Sequence, residues 1–299
     1  MPAKSTYARH HMSLFDKLKK LGQDTAEIYS ESVPSRSAAA IAYRGIFSLA
    51  PLLFISVVVM SIFVSQETAQ QEITNVVSSI LDEQSAEMVQ DVLDATLRRT
   101  GRDQTIASLI GVLFLLYAAS ALFKEIKIAL NAVWGLPATP EKGALAFVFT
   151  QLTAIAMVLL VGFFFLSLIL VNVAISLLDT YIFQGEMISL RWGSLLGSLA
   201  ATVLLIAIMY RLVPDVAVPW SDLWVGSIVT TILMMVGVWG ISLYMNISNV
   251  GSAFGAAGAV IILLLWLYYI GLVFLFGASF ARAYAINFGT QRQGSRGAE

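Results

Sequence analysis

Six long apolar runs dominate the sequence, and short polar segments separate them. The runs cover roughly residues 38–64, 106–123, 145–170, 192–210, 223–245 and 254–281. A membrane-spanning helix needs about 20 consecutive apolar residues. Residues 223–281 contain no charge at all, and the turn-forming segment NISNVGS at residues 246–252 divides this stretch in two. The pattern therefore predicts an all-α, polytopic membrane protein with six transmembrane helices.

Two of the polar segments also have helical periodicity. Residues 13–30 place leucines and an isoleucine on one side with lysines nearby, which predicts an amphipathic N-terminal helix on the anionic inner membrane surface. Residues 66–104 contain two periodic apolar stretches separated by LDEQSAE. They predict an external helical hairpin that covers part of the outer mouth of the bundle. A helical spacer without a functional role is the alternative.

Composition agrees with a membrane protein and argues against several other classes. The 299 residues are 58% hydrophobic and 12% charged, whereas soluble domains are about 45–50% apolar and about 25% charged. The net charge of −1 gives no basic excess, so we expect no nucleic-acid partner. The chain has no cysteine, which excludes disulfides, thiolate nucleophiles and cysteine metal sites. We expect no cofactor and no metal.

The distribution of basic residues predicts the orientation of the chain. Thirteen of the 18 lysines and arginines lie in segments that are cytoplasmic if both termini are inside, and four lie in the outside segments. Because basic residues are enriched in cytoplasmic loops, we expect both termini in the cytoplasm. The predicted organisation is a cytoplasmic tail with the amphipathic helix over residues 1–36, a transmembrane domain over residues 37–285, and a cytoplasmic tail over residues 286–299.

Four segments resemble, in this order, motifs of the YihY/BrkB family of bacterial inner-membrane proteins. They are AAAIAYRGIFSLAPLL at 38–53, LNAVWG at 130–135, YRLVPDVAVPWSDLWVGS at 210–227 and SAFGAAGAVIILLLWLYYIGLVFLFGASFARAY at 252–284. The resemblance implies a location in the bacterial inner, or plasma, membrane. It also implies a basic loop at residues 214–220, but this loop contains Asp215 and no lysine or arginine.

The same family has carried the label ribonuclease BN, which would imply a tRNA-processing nuclease. Metal-dependent hydrolysis of RNA needs a cluster of histidine and carboxylate ligands. The only histidines of the chain are His10 and His11, adjacent residues near its start and outside every motif. The residues therefore disfavour the nuclease, and we predict that the chain is not an enzyme.

The first apolar run contains an arginine and a proline, which are costly in a membrane helix. Arg44 lies about seven residues into the predicted helix, or about 10 Å deep. Ser48 and Pro51 follow at helical spacing on the same face. In one interpretation Arg44 extends its guanidinium back to the lipid headgroups. In the other it faces the bundle and binds an anionic group, while Pro51 opens the helix beside it.

A polar stripe follows one face of the second apolar run. Its candidate substrate- or headgroup-binding residues are Tyr117, Lys124, Lys127 and Asn131. Glu125 lies off this stripe and is the candidate counter-ion of Arg44. The alternative is that the lysines only mark the cytoplasmic interface.

Prolines and glycines near the helix ends predict helix breaks or close helix packing. Besides Pro51, these residues are Pro214, Gly255, Gly258 and Gly277.

Two classes of function fit these features. The first is a transport or flippase-like protein that moves an anionic or amphipathic solute, including a lipid. The second is a non-transporting scaffold that organises an envelope complex. Membrane lipids are the expected partners in both cases, and residues 66–104 could bind a second copy of the chain or an envelope protein.

Overall fold

The computed structural model describes residues 14–60, 120–136, 188–247 and 256–289, and a few isolated positions between residues 65 and 157. Every regular element within these residues is an α-helix, as the apolar pattern predicts. The helices are α1 (Leu14–Glu31), α2 (Pro34–Met60), α3 (residues 120–133), α4 (Ile188–Leu212), α5 (Trp220–Ile247) and α6 (Ala256–Asn287).

Two described helices are long and apolar enough to cross a membrane. They comprise Trp220–Gly240 of α5 and Val260–Asn287 of α6, and Leu196–Leu212 of α4 is a shorter apolar helix. Most of the predicted runs at 145–170 and 106–123 and nearly all of the 66–104 hairpin lie outside the described residues. The full set of six spans therefore stays a prediction.

The last helix, α6, packs against most of the other described helices. It contacts α1, α2 and α5, and α4 packs against α5. Gly271 of α6 lies against Ala38, and Leu267 lies against Gly45. Residue numbers thus rise along α2 as they fall along α6, so the two helices are antiparallel. The absence of side chains at the two glycines lets the helices approach closely.

A buried tyrosine joins α4, α5 and α6. The side chain of Tyr210 is fully buried, and its hydroxyl donates a 2.6 Å hydrogen bond to the Phe274 carbonyl oxygen. The same hydroxyl lies 2.8 Å from Thr230 Oγ1. Gly277 lies where a Cβ atom would overlap this threonine oxygen, and Gly226 faces it from α5. The three helices therefore meet at a polar contact that only glycines accommodate.

The predicted amphipathic helix forms, and part of its apolar face packs on another helix. Leu21 and Ile28 are buried in the same cluster as alanines of α6, whereas Leu18 is exposed. Tyr29 donates a 3.4 Å hydrogen bond to the Leu272 carbonyl oxygen, and Asp24 accepts a 2.6 Å bond from Asn287. The C-terminal half of α1 therefore packs on α6. The predicted domain limits at residues 36 and 285 stay a prediction.

Candidate functional site

The candidate site begins with an ion pair between α2 and α3. Arg44 Nε lies 3.0 Å from Glu125 Oε2, and Arg44 Nη1 donates to the Ala121 carbonyl oxygen at 3.5 Å. The two acceptors lie four residues apart, on one face of α3. We call the contact formed by Arg44, Glu125 and Ala121 the α2–α3 seam. The structure thus brings the arginine and its candidate counter-ion together.

The exposure of the two charged side chains differs, which describes how Arg44 sits between α2 and α3. The arginine side chain is 44% exposed, whereas that of Glu125 is 16% exposed. The guanidinium is therefore held by a neighbouring helix rather than extended along its own helix to the headgroups. Part of its side chain stays exposed in the part of the chain that the structure describes.

Ser48 does not join Arg44 in a shared binding face. Its side chain is buried, and its hydroxyl donates to the carbonyl oxygen of Gly45 at 2.9 Å. This bond satisfies the hydroxyl within its own helix, which is a common arrangement for serine in apolar helices. Ser48 therefore contributes to the packed side of α2, while Arg44 lies at the edge of that side.

A second polar cluster ties α3 to the loop between α4 and α5. Lys127 Nζ lies 2.9 Å from Asp215 Oδ1, and Asn131 Nδ2 donates to Asp215 Oδ2 at 2.9 Å. The backbone N–H of Asp215 donates in return to Asn131 Oδ1 at 2.8 Å. Partial burial raises the pKa of the Asp215 carboxyl, but the hydrogen bonds from Lys127 and Asn131 and the lysine charge outweigh burial and hold this pKa below its usual value.

The predicted polar stripe of α3 is therefore divided between different roles. Lys127 and Asn131 contact a loop carboxylate, so their polar atoms hold the α4–α5 loop in place. Lys124 is partly buried and engaged in an interaction of its own. Tyr117 lies outside the described residues. In the sequence, Asp215 stood out only because it lies in a loop that the resemblance implies to be basic. Sequence reasoning did not identify Asp215 as the partner of Lys127 and Asn131.

The C-terminal end of α3 forms a third polar contact, with α6. Gly135 has a φ of +73°, and its N–H donates to the Ala132 carbonyl oxygen at 3.0 Å. The N–H of Leu136 donates to the Asn131 carbonyl oxygen at 2.9 Å, which completes a Schellman cap. Arg282 Nη1 donates to the Val133 carbonyl oxygen at 2.6 Å. The glycine of the LNAVWG segment is therefore required by helix termination.

The prolines and glycines predicted to break helices or to allow close packing differ in what the structure shows for them. The break predicted at Pro51 is not observed, because α2 continues through it to Met60. A proline removes only one backbone hydrogen bond, and the rest of a membrane helix tolerates this loss. Pro214 follows the end of α4 at Leu212, as a helix terminator does. Gly277 lies in a close helix contact. Gly258 lies within α6, and Gly255 lies outside the described residues.

Metal binding has no candidate in the part of the chain that the structure describes. No group of three or more histidine, cysteine, aspartate or glutamate side chains is placed there to hold an ion. The chemistry that the described site offers is therefore that of a guanidinium, two ion pairs and hydrogen-bonded helix ends.

Comparison with known proteins places the chain among bacterial membrane proteins. It is 26% identical over 254 residues to a UPF0761 membrane protein of Xanthomonas campestris pv. campestris, a match that covers 82% of this chain and 56% of the relative. A UPF0761 membrane protein of Xanthomonas oryzae pv. oryzae is also 26% identical, over 258 residues, with 84% and 57% coverage. The chain thus spans about half the length of the curated relatives it matches.

A family model covers nearly the whole sequence. The model described as Virulence factor BrkB matches residues 27–299. No solved structure matches the chain. The family match includes α2 to α6 and therefore every polar contact described above except those of residues before 27. The chain belongs to the BrkB (YihY) family of membrane proteins.

Proposed function

We propose that the protein is a six-span protein of the bacterial inner membrane that moves an anionic or amphipathic solute, as a transporter or flippase does. The α2–α3 seam is the place where the anionic group of that solute binds. The proposal assigns no catalytic step to the chain.

The single observation that carries this proposal is the placement of Arg44. The residue lies ten positions after the start of α2, which corresponds to about 15 Å along the helix. An arginine at a hydrocarbon-facing position costs roughly 2.5–3.5 kcal/mol on insertion scales. Glu125 offsets part of this cost, and the exposed part of the guanidinium keeps N–H donors at the surface. Charged residues inside membrane spans typically mark the route of a substrate or an ion.

The contacts between helix ends support the proposed orientation. Contacts join Lys127 to Asp215 and Arg282 to Val133, so the ends of α3, α4 and α6 and the start of α5 lie on one side of the bundle. Asn287 at the end of α6 contacts Asp24 of α1, so the first described helix lies there too. Because basic residues are enriched in cytoplasmic segments, this side corresponds to the cytoplasm in our proposal.

Transport can be measured with the full chain in proteoliposomes. The assay follows a short-chain fluorescent phosphatidylglycerol and, separately, a soluble anionic dye across the bilayer. We expect the wild type to accelerate movement of one of these probes, and Arg44→Gln to lower the rate about tenfold, as the loss of a charge-assisted hydrogen bond would. Arg36→Gln is the matched control, since Arg36 is an exposed arginine near the start of the same helix.

Two results would contradict this function. The first is wild-type protein that moves neither probe faster than empty liposomes, which would favour a scaffold. The second is an equal loss of rate in the Arg36 and Arg44 variants, which would indicate a general effect of positive charge.

A further inference from the structure

The geometry of the α2–α3 seam also indicates which anionic group it binds. Resting on the transport role proposed above, we propose that the seam binds the phosphodiester of a membrane phospholipid, which reaches Arg44 sideways from the inner leaflet. The acyl chains of this lipid then lie along the outward face of α2.

The first part of the argument is the direction in which the guanidinium is open. Among the described residues, Glu125 occupies Nε of Arg44 and the Ala121 carbonyl oxygen occupies Nη1. Glu125 is mostly buried, so the carboxylate lies on the inner side of the arginine. The arginine side chain is 44% exposed, so part of its guanidinium is accessible in the described part of the chain. A guanidinium with a free planar edge binds phosphate oxygens through two parallel hydrogen bonds.

The second part is the surface on which Arg44 lies. Its neighbours Tyr43 and Phe47 are 63% and 61% exposed, and their rings contact each other edge to face with centroids 5.1 Å apart. On the opposite side of the helix, Ile41 and Ala42 are buried. The arginine is thus next to an apolar, aromatic strip that faces away from the packed core. Exposed aromatic side chains near the ends of membrane helices typically contact the glycerol and upper acyl region of lipids.

The third part distinguishes a lipid from a soluble anion. Arg44 lies about 15 Å along α2 and its side chain is 44% exposed, so in our proposal a ligand from the bilayer reaches it. A free phosphate would have to leave water and contact exposed aromatic rings. A phospholipid supplies both the anionic oxygens and the apolar chains that this surface offers to bind. The charge and the apolar strip are therefore complementary to one molecule.

Lipid binding can be tested on the detergent-purified full chain by native mass spectrometry. The probes are phosphatidylglycerol, phosphatidylethanolamine, diacylglycerol without a phosphate, and inorganic phosphate as a competitor. The central variant is Arg44→Gln with Glu125→Gln, because two amides keep hydrogen bonding across the seam without leaving a buried unpaired carboxylate. Arg36→Gln is the control. We expect both phospholipids to bind the wild type and the control, and the double variant to bind about tenfold less of each.

Three results would overturn the lipid site. They are equal retention of phospholipid by the double variant, retention of diacylglycerol equal to that of phosphatidylglycerol, and displacement of the lipid by millimolar inorganic phosphate. Failure of the transport role gives a different result. If phospholipid binding depends on Arg44 but proteoliposomes show no movement of lipid, the site stands and the proposed function is wrong.

Discussion

Replacing Gly277 by alanine tests the close contact between α5 and α6. An added Cβ atom would overlap Thr230 Oγ1 and would lie 2.9 Å from the Tyr210 hydroxyl and 3.0 Å from the Gly226 carbonyl oxygen. Two of these neighbours are held by the buried hydrogen bonds of the tyrosine, so they cannot move without breaking them. The helices must therefore separate.

The expected cost of Gly277→Ala follows from these contacts. Overpacking of a tight core costs roughly 1–3 kcal/mol, and leaving a buried hydroxyl unsatisfied costs about 1–3 kcal/mol. Together they predict a loss of about 3 kcal/mol or more in the free energy of unfolding. For a chain of this size, about 3 kcal/mol lowers the unfolding midpoint by roughly 6–12 °C. Thermal unfolding of the detergent-purified protein measures this shift.

Matched variants make the result of Gly277→Ala interpretable. Gly240 of α5 has no neighbour within 4 Å of an added Cβ, so Gly240→Ala should leave the midpoint unchanged or raise it slightly. Thr230→Ala removes the overlapping oxygen, so the double variant with Gly277→Ala should recover at least about 1 kcal/mol relative to the sum of the single effects. Equal midpoints for the two glycine variants, or strict additivity in the double variant, would refute the proposed contact.

Three further predictions concern the polar side of the bundle. Gly135→Ala should lower the free energy of unfolding by about 1–2 kcal/mol, because the glycine has a positive φ and an added Cβ would lie 3.0 Å from Arg282, whereas Gly22→Ala meets nothing and should not destabilise the protein. Because the pKa of Asp215 is lowered in the folded protein, its contribution is complete above the ordinary aspartate pKa of about 4 and is lost as the pH falls through the lowered value. Between pH 7 and pH 3 the free energy of unfolding should therefore fall slightly more for the wild type than for Asp215→Asn, by under about 1 kcal/mol, and identical profiles would contradict this assignment. Since the chain has no cysteine, Ala217→Cys gives a unique label site, and an impermeant maleimide should modify it in inverted vesicles but not in intact spheroplasts.

Apolar length and periodicity predicted the described helices, because burial in lipid or protein requires these patterns in the sequence itself. The runs at 223–245 and 254–281 correspond to α5 and α6, and the periodic segment at 13–30 corresponds to α1. The pairing of Arg44 with Glu125 was also accessible, because an arginine in a span needs a partner at a similar depth.

The remaining contacts depend on residues that are far apart in the sequence. Asp215 is separated from Asn131 by 84 positions, and Arg282 from Val133 by 149. No local pattern identifies such partners, although the single carboxylate in a loop facing two polar residues of α3 was a usable signal. The Tyr210 contact was missed for another reason. A tyrosine near the end of an apolar run is typical of the membrane interface, and only the packing of three helices shows that this one is buried.

The packing of α1 on α6 has a consequence for how the chain is assembled. In this sequence α1 precedes α6, with α2 to α5 between them, so translation makes α1 well before the helix on which its C-terminal half packs. Until α6 has been made, the apolar face of α1 lacks this partner. The exposed lysines of α1 and the limited extent of its apolar face allow the helix to stay in water during this interval. The α1–α6 contact therefore forms only when two helices far apart in the sequence meet late, and a ribosome that stops before α6 releases a chain whose α1 lacks this partner.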